Sequence, residues 1–152
     1  MPSEGAILLL STKQADLMNE LLKNIKIMVV DDNADTCDLL RIALEQAGAS
    51  VVAAQTVDTA IELFRRYPAH AVIADIRIGN SDGYALIKAI REHNIQFRGF
   101  TPAIAVTGFA SPEDEERALA TGFTAYVPKP FNPTDVVCTI ARILGSPGDL
   151  AA

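Results

Sequence analysis

The chain has 152 residues, a formal net charge of -6 and two cysteines. This length is expected to form one domain around a single core. The negative charge disfavours direct binding to nucleic acid, and two cysteines without CxxC spacing are expected to be buried free thiols, not zinc ligands or a disulfide framework. No apolar run reaches the roughly 18 residues of a membrane span, so we expect a cytoplasmic protein without a membrane segment.

The first 25 residues are interpreted as an N-terminal extension or linker. Within them, Ala6 to Leu10 is predicted as a short strand and Gln14 to Leu22 as a weakly amphipathic helix or linker. Neither segment fits the regular alternation that begins at Lys26. The domain is therefore expected over residues 26–145, followed by a short tail over residues 146–152 that is rich in Gly and Pro at its start.

From Lys26 onward, short apolar runs rich in Val and Ile alternate with segments of helical periodicity. This alternation predicts an α/β fold in which a parallel sheet carries helices on both faces. The predicted strands are Lys26 to Asp31, Ser50 to Ala54, Ala71 to Asp75, Ala103 to Thr107 and Ala125 to Pro128. The predicted helices are Asp35 to Ala47, Val57 to Tyr67, Tyr84 to His93, Pro112 to Thr121 and Thr134 to Leu144.

Cap and turn residues support these boundaries. Gly48 is expected to end the first helix. Ser111-Pro112 and Asn132-Pro133 each place a capping residue before a proline, and so are expected to open the last two helices. Gly83 is expected in a tight turn after the third strand.

Residues suited to phosphate chemistry stand at the ends of four predicted strands. Asp31 and Asp32 close the first strand, and Asp75, Thr107 and Lys129 close or follow the later ones. Because the carboxyl ends of parallel strands line one crevice, these side chains are expected to be neighbours. Clustered carboxylates repel one another unless a cation or a proton joins them, and an all-oxygen site suits Mg²⁺. The pattern predicts a magnesium-dependent site at which Asp75 accepts phosphate.

Each residue of the predicted site meets one need of phosphoryl transfer, in which negative charge spreads over the transferred group. Asp75 is the predicted nucleophile and would form an acyl phosphate. Asp32, together with Asp31, would hold the metal. Lys129 and Thr107 would contact the remaining phosphate oxygens through an ammonium and a hydroxyl.

Four stretches, IKIMVVDDN, VIADIRIGNSDGYAL, AIAVTGFA and AYVPKPF, resemble at this spacing the receiver domain of two-component response regulators. The resemblance covers about Lys26 to Leu144. It implies a flavodoxin-like doubly wound (βα)5 fold with strand order 2-1-3-4-5. It also implies a phosphoacceptor, not an enzyme, that takes a phosphoryl group onto Asp75 from the phosphohistidine of a histidine kinase or a histidine phosphotransfer protein. Around Mg²⁺ it implies Asp31, Asp32, Asp75 and the backbone carbonyl of Arg77.

The same resemblance implies a conformational switch. Phosphate is expected to draw Thr107 toward it while Tyr126 turns into the vacated space. The resemblance also implies a cis Lys129-Pro130 bond. The face around Ala110 to Tyr126 is the expected site of homodimer formation or partner docking.

The opening residues SEGAILLL resemble the closing strand of a histidine-kinase ATP-binding domain. This likeness predicts that the chain is the C-terminal receiver of a hybrid histidine kinase. A free-standing single-domain regulator is the alternative.

Two other protein classes share part of this pattern. A haloacid-dehalogenase-like phosphatase also uses a strand-end Asp with Mg²⁺, but normally has a second Asp two positions later, where this chain has Arg77. A nucleotide-binding flavodoxin-like module would be expected to carry GxGxxG or GxxxxGK[ST], and neither occurs. A degenerate receiver that never takes phosphate is disfavoured because every acceptor-site position is filled.

Overall fold

A computed structural model describes residues 19–78, 81–108 and 111–145 of the chain. Four features of the sequence analysis lie wholly or partly outside the described residues. They are the predicted strand Ala6 to Leu10, the first part of the predicted helix or linker Gln14 to Leu22, the predicted tail over residues 146–152, and Ala110 at the start of the predicted interface.

A five-stranded parallel sheet forms the centre of the domain. Its strands, numbered in chain order, are β1 (Lys26–Val30), β2 (Ser50–Ala54), β3 (Ala71–Ala74), β4 (Ala103–Thr107) and β5 (Ala125–Pro128). They lie in the order β2-β1-β3-β4-β5, and every neighbouring pair is parallel. The three central strands are almost wholly buried, as their uniformly apolar sequences predict. The predicted fold class and strand order are confirmed.

Each strand leads into a helix that returns across the sheet. The helices are α1 (Ala34–Gln46), α2 (Val57–Arg66), α3 (Gly83–Phe97), α4 (Pro112–Thr121) and α5 (Pro133–Leu144). One core cluster contains Phe64 of α2, Leu86 of α3 and Ala118 of α4. The opposite cluster contains Leu44 of α1 and Ile140 of α5. The sheet is therefore covered on both faces, as predicted.

The predicted helix starts agree with the observed capping. Ser111 accepts a hydrogen bond from the Asp114 amide at the start of α4, and Asn132 accepts one from the Thr134 amide at the start of α5. Gly48 follows α1 with a φ of +99°, a conformation that favours glycine. The predicted ends of α1, α4 and α5 are thus correct to within a residue.

Helix α3 is longer than predicted, running to Phe97 where the apolar pattern suggested an end at His93. The reason is a buried polar residue. The Asn94 amide group donates to the Thr101 hydroxyl at 3.0 Å, and its carbonyl accepts from the Arg91 guanidinium at 2.7 Å. A hydrogen-bonded Asn takes a core position where the sequence pattern calls for an apolar residue.

Leu22 shows that the packed core begins before the predicted boundary at residue 26. Its side chain is 1% exposed and belongs to the cluster between the sheet and α1 and α5. Its amide donates to the Ala47 carbonyl at 2.8 Å. The turn that holds Leu22 is too short to show periodicity, so the sequence pattern placed it in the extension. The extension over residues 1–25 otherwise stays a prediction.

We expect Leu22→Ala to lower the free energy of unfolding by about 2–5 kcal/mol, because it leaves a cavity in a closed core. Urea denaturation measures the change. Leu39→Ala is the matched control, since Leu39 on α1 is 47% exposed and a surface truncation is expected to cost about 0.5 kcal/mol or less. Equal losses in the two variants would show that the segment before β1 adds nothing to the core.

Candidate functional site

The carboxyl ends of β1, β3, β4 and β5 meet at one edge of the sheet, and the predicted site residues lie there. Asp31 and Asp75 directly follow β1 and β3, one residue beyond the observed strand ends. The Asp75 amide donates to the Val30 carbonyl at 3.0 Å, and the Lys129 amide donates to the Thr107 carbonyl at 2.8 Å. The hydrogen bonding of the sheet therefore continues onto the site residues and holds their backbones in place.

The ammonium of Lys129 lies between two carboxylates. Its Nζ is 2.8 Å from Asp31 Oδ2 and 2.9 Å from Asp75 Oδ2. The second oxygen of each carboxylate accepts a backbone amide, from Asn33 at 2.9 Å for Asp31 and from Arg77 at 3.2 Å for Asp75. Both aspartates are buried. The structure thus brings together the predicted site residues Asp31, Asp75 and Lys129. Each carboxylate is oriented by the Lys129 ammonium at one oxygen and by a backbone amide at the other.

Burial and charge act in opposite directions on these groups. Burial raises the pKa of Asp31, and the hydrogen bonds from Lys129 and the Asn33 amide only partly offset this rise. Burial lowers the pKa of Lys129, but its hydrogen bonds to Asp31 and Asp75 and their negative charges outweigh burial, so its pKa is raised. Lys129 is therefore firmly protonated, while two carboxylates share one ammonium. Added positive charge at this point would be stabilised.

The other predicted residues differ in their exposure to solvent. Asp32 is exposed beside Asp31, and Arg77 is exposed beside Asp75. Thr107 is fully buried at the end of β4. Tyr126 of β5 is half-buried and packs against the core cluster that contains Phe123. Its hydroxyl is buried, and burial raises the pKa of that hydroxyl. The Lys129-Pro130 bond is cis, as predicted.

The donor set fits a magnesium ion. Mg²⁺ prefers oxygen ligands and commonly takes one or two protein carboxylates with water completing its shell, and the buried Asp31 and Asp75 supply two. Across residues 19–78, 81–108 and 111–145, no group of three or more His, Cys, Asp or Glu side chains is arranged to hold a metal. The ammonium of Lys129, and not a third carboxylate, is what joins Asp31 to Asp75.

Sequence patterns missed how closely Gly83 approaches the backbone at the end of β3. A Cβ on Gly83 would lie 2.5 Å from the carbonyl oxygen of Asp75 and 2.8 Å from that of Ile76. The Gly83 amide also donates to the Ile76 carbonyl. A glycine at this point lets the first turn of α3 pack directly on the backbone that carries Asp75. The predicted tight turn pointed to Gly83 but not to this contact.

Two further contacts near the site could not be predicted from the sequence. Arg77–Ile78 and Ser81–Asp82 form a separate two-stranded antiparallel sheet, and strands of two residues are too short to show alternation. Cys37 is buried and free as predicted, whereas Cys138 is free but only partly buried, so its predicted burial is wrong. The Cys37 thiol donates to the backbone carbonyl of Asp31 at 3.3 Å. Both features fix the loops that follow β1 and β3.

We expect Lys129→Met to lower the free energy of unfolding at neutral pH by about 1–3 kcal/mol, because it leaves two buried carboxylates without their cation. Lys129 is partly exposed, so this loss is smaller than the loss expected for a fully buried ion pair. The pKa of Lys129 is raised on folding. The ammonium therefore contributes fully to the free energy of unfolding below the ordinary pKa of lysine, and this contribution is lost as the pH rises through the raised pKa of the folded protein. Urea denaturation from pH 7 upward measures both effects. Lys88→Met on the exposed surface of α3 is the matched control. An unchanged stability for Lys129→Met would show that the carboxylates do not depend on this ammonium.

The chain is similar in sequence to a known protein family and to individual proteins. A family model described as "Response regulator receiver domain" matches residues 27–141. The chain is 39% identical over 119 residues to the "Uncharacterized 14.6 kDa protein in sodA1 3'region" of Leptolyngbya boryana, covering 78% of this chain and 88% of that protein. It is 31% identical over 121 residues to the transcriptional regulatory protein ZraR of Escherichia coli K12, covering 80% of this chain. The match spans only 26% of the length of ZraR.

Solved structures share the fold. The chemotaxis response regulator CheY4 of Vibrio cholerae is 28% identical with a TM-score of 0.72, covering 78% of this chain and 98% of that chain. A BeF3-activated DrrB receiver domain is 28% identical with a TM-score of 0.69, covering 79% and 97%. Nearly the whole of each solved domain is therefore matched.

Of the helices in the described part of the chain, none is both long enough and apolar enough to cross a bilayer.

Proposed function

The chain belongs to the response regulator receiver domain family of two-component signalling, and we propose that it accepts a phosphoryl group from phosphohistidine onto Asp75 with the help of Mg²⁺. One observation carries the proposal. The Asp75 carboxylate closes a central strand, is oriented by the Arg77 amide, and shares the Lys129 ammonium with Asp31. An oriented carboxylate beside a fixed cation suits attack on a phosphoryl group.

In the proposed reaction, an Asp75 oxygen forms a bond to phosphorus as the phosphorus–nitrogen bond to the donor imidazole breaks. The imidazole nitrogen takes the electron pair of the broken bond, and because the other ring nitrogen of the phosphohistidine carries a proton, the donor histidine leaves as neutral imidazole. Lys129 exchanges part of its contact with Asp75 for the incoming phosphate oxygens, and the Thr107 hydroxyl donates to another of them. The carboxylates of Asp31, Asp32 and Asp75 and the Arg77 carbonyl would hold Mg²⁺, which when bound would supply positive charge to offset that of the phosphate.

We assign the chain the role of a phosphoacceptor, not that of a phosphohydrolase. Arg77 occupies the position where a haloacid-dehalogenase-like phosphatase normally has its acid/base Asp. Arginine remains protonated and cannot act as a general base at neutral pH. Slow loss of the phosphoryl group to water is still compatible with this role.

The output of phosphorylation is a conformational switch through Thr107 and Tyr126. The Tyr126 hydroxyl is buried without a hydrogen-bond partner among the described residues, so hydrogen bonding does not anchor the ring. Phosphate would favour the arrangement in which Thr107 moves toward the phosphoryl group and Tyr126 lies inward. A side chain without a polar anchor suits movement between two positions.

The proposed partners are a histidine kinase or a histidine phosphotransfer protein, without direct contact to nucleic acid or to a membrane. Leu119 of α4 is 44% exposed, which supports the predicted homodimer or docking face over residues 110–126. We keep the C-terminal receiver of a cytoplasmic hybrid histidine kinase as the proposed context, with a free-standing regulator as the alternative.

Intact-mass spectrometry after treatment with acetyl phosphate, with and without Mg²⁺, tests the proposal. We expect one phosphoryl group per chain, and only when Mg²⁺ is present. Sustained turnover of small phosphate esters would instead indicate a phosphohydrolase. If neither acetyl phosphate nor a panel of phosphohistidine donors adds a phosphoryl group, the protein is a receiver-shaped interaction module.

A further inference from the structure

A cluster of two aromatic rings and one arginine joins the phosphoacceptor strand to α4. Tyr84 follows Gly83, whose backbone lies against that of Asp75. The Tyr84 ring meets the Phe123 ring edge to face, with 6.5 Å between centroids. On the α4 side, the Arg117 Cζ lies 4.4 Å from the centroid of the Tyr84 ring. Tyr84 therefore touches α4 and the segment before β5 while its backbone neighbour touches the acceptor strand.

Tyr126 packs within the same region. Tyr84 and Tyr126 both lie against the core cluster that contains Phe123. Burial, followed by the acidic residues of α4, raises the pKa of the Tyr126 hydroxyl. With no hydrogen bond from its hydroxyl among the described residues, Tyr126 is held by packing. That packing is against the core cluster to which α3 contributes Leu86 and α4 contributes Ala118, so the position of Tyr126 depends on how α4 lies against α3.

We propose that Tyr84 and Arg117 are positioning residues for the switch, because their contact holds α4 against α3 and so favours the arrangement in which the Tyr126 hydroxyl is buried. This inference rests on the proposed function, in which phosphorylation of Asp75 favours the same arrangement. Arg117 is an exposed residue of α4, and a cation over an exposed aromatic ring changes an equilibrium by about two- to five-fold. Loss of the contact should weaken binding of a phosphoryl analogue by that factor.

The chain is suited to a spectroscopic test because it has three tyrosines and no tryptophan. Fluorine NMR of protein labelled with 3-fluorotyrosine follows Tyr67, Tyr84 and Tyr126, and Tyr126→Phe assigns the switch resonance. Tyr67 is 65% exposed and is the internal reference. The protein is titrated with beryllofluoride in the presence of Mg²⁺, and the apparent Kd and the Tyr126 resonance are recorded.

We expect Arg117→Met, which keeps the aliphatic stem and removes the charge, to raise the apparent Kd about two- to five-fold. The unliganded Tyr126 resonance should shift away from its beryllofluoride-bound position. Tyr84→Leu should also raise the apparent Kd and shift the Tyr126 resonance. Tyr84→Phe keeps the ring and should behave as the parent protein does. Lys88→Met is the matched control, because it removes a positive charge from an exposed position of α3. It should leave the apparent Kd and the Tyr126 resonance unchanged.

The outcomes separate this inference from the proposed function. If the parent protein does not respond to beryllofluoride, the proposed function fails. If the parent responds and Arg117→Met has an equal or lower apparent Kd, the positioning role is wrong and the proposed function stands. In Tyr84→Leu/Arg117→Met, the effects should not add, because one contact is removed twice; additive effects would contradict the contact as their cause.

Discussion

Asp75→Asn is expected to abolish uptake of phosphate from acetyl phosphate completely. Asparagine has nearly the shape of aspartate but only one acceptor oxygen, so it can keep one of the two hydrogen bonds that the Asp75 carboxylate accepts from Lys129 and the Arg77 amide. Its neutral amide, however, is not a nucleophile that forms an acyl phosphate. Intact-mass spectrometry in the presence of Mg²⁺ should find one phosphoryl group on the parent protein and none on the variant.

Asp38→Asn is the matched control for this variant. Asp38 is an exposed residue of α1, so its replacement removes the same charge from the chain without touching the site. It should be phosphorylated as the parent protein is. A phosphoryl group on Asp75→Asn that survives hydroxylamine, which cleaves acyl phosphates, would place the modification on another kind of residue and contradict the assignment of Asp75.

Gly83→Ala is expected to lower the free energy of unfolding by about 1–3 kcal/mol or more, since the added methyl group overpacks a closed contact. The new Cβ would lie 2.5 Å from the Asp75 carbonyl oxygen. The first turn of α3 must therefore move away from β3, and the Asp75 backbone loses its support. We expect slower phosphorylation together with the lower stability, measured by urea denaturation and by a time course of intact mass.

Gly99→Ala is the control for Gly83→Ala. A Cβ at Gly99 meets no atom within 4 Å, so the same chemical change falls in open space. Its stability should stay within about 0.5 kcal/mol of the parent protein. If Gly83→Ala were as stable as Gly99→Ala, the approach of α3 to the acceptor strand would not require a glycine.

The order of strands and helices, and the edge at which the site lies, could be predicted from the sequence. Buried parallel strands are short, apolar and rich in Val and Ile, and amphipathic helices repeat with a different period, so local pattern separates them. Asp75, Thr107 and Lys129 stand at the ends of such strands, and the parallel arrangement brings strand ends to one edge. The capping residues Ser111 and Asn132 also act on their own helices, so they too could be recognised locally.

Only the tertiary structure decided how the residues of that edge contact one another. The Lys129 ammonium joins Asp31 and Asp75, which are 98 and 54 positions away in the chain. Such contacts depend on distances between distant segments, which no local pattern contains. Contacts between distant segments also account for three other features: the burial of Leu22, the extra turn of α3 around Asn94, and the close fit of Gly83 against the end of β3. Sequence determined which groups are present at the site, and the packing of distant segments determined which of them touch.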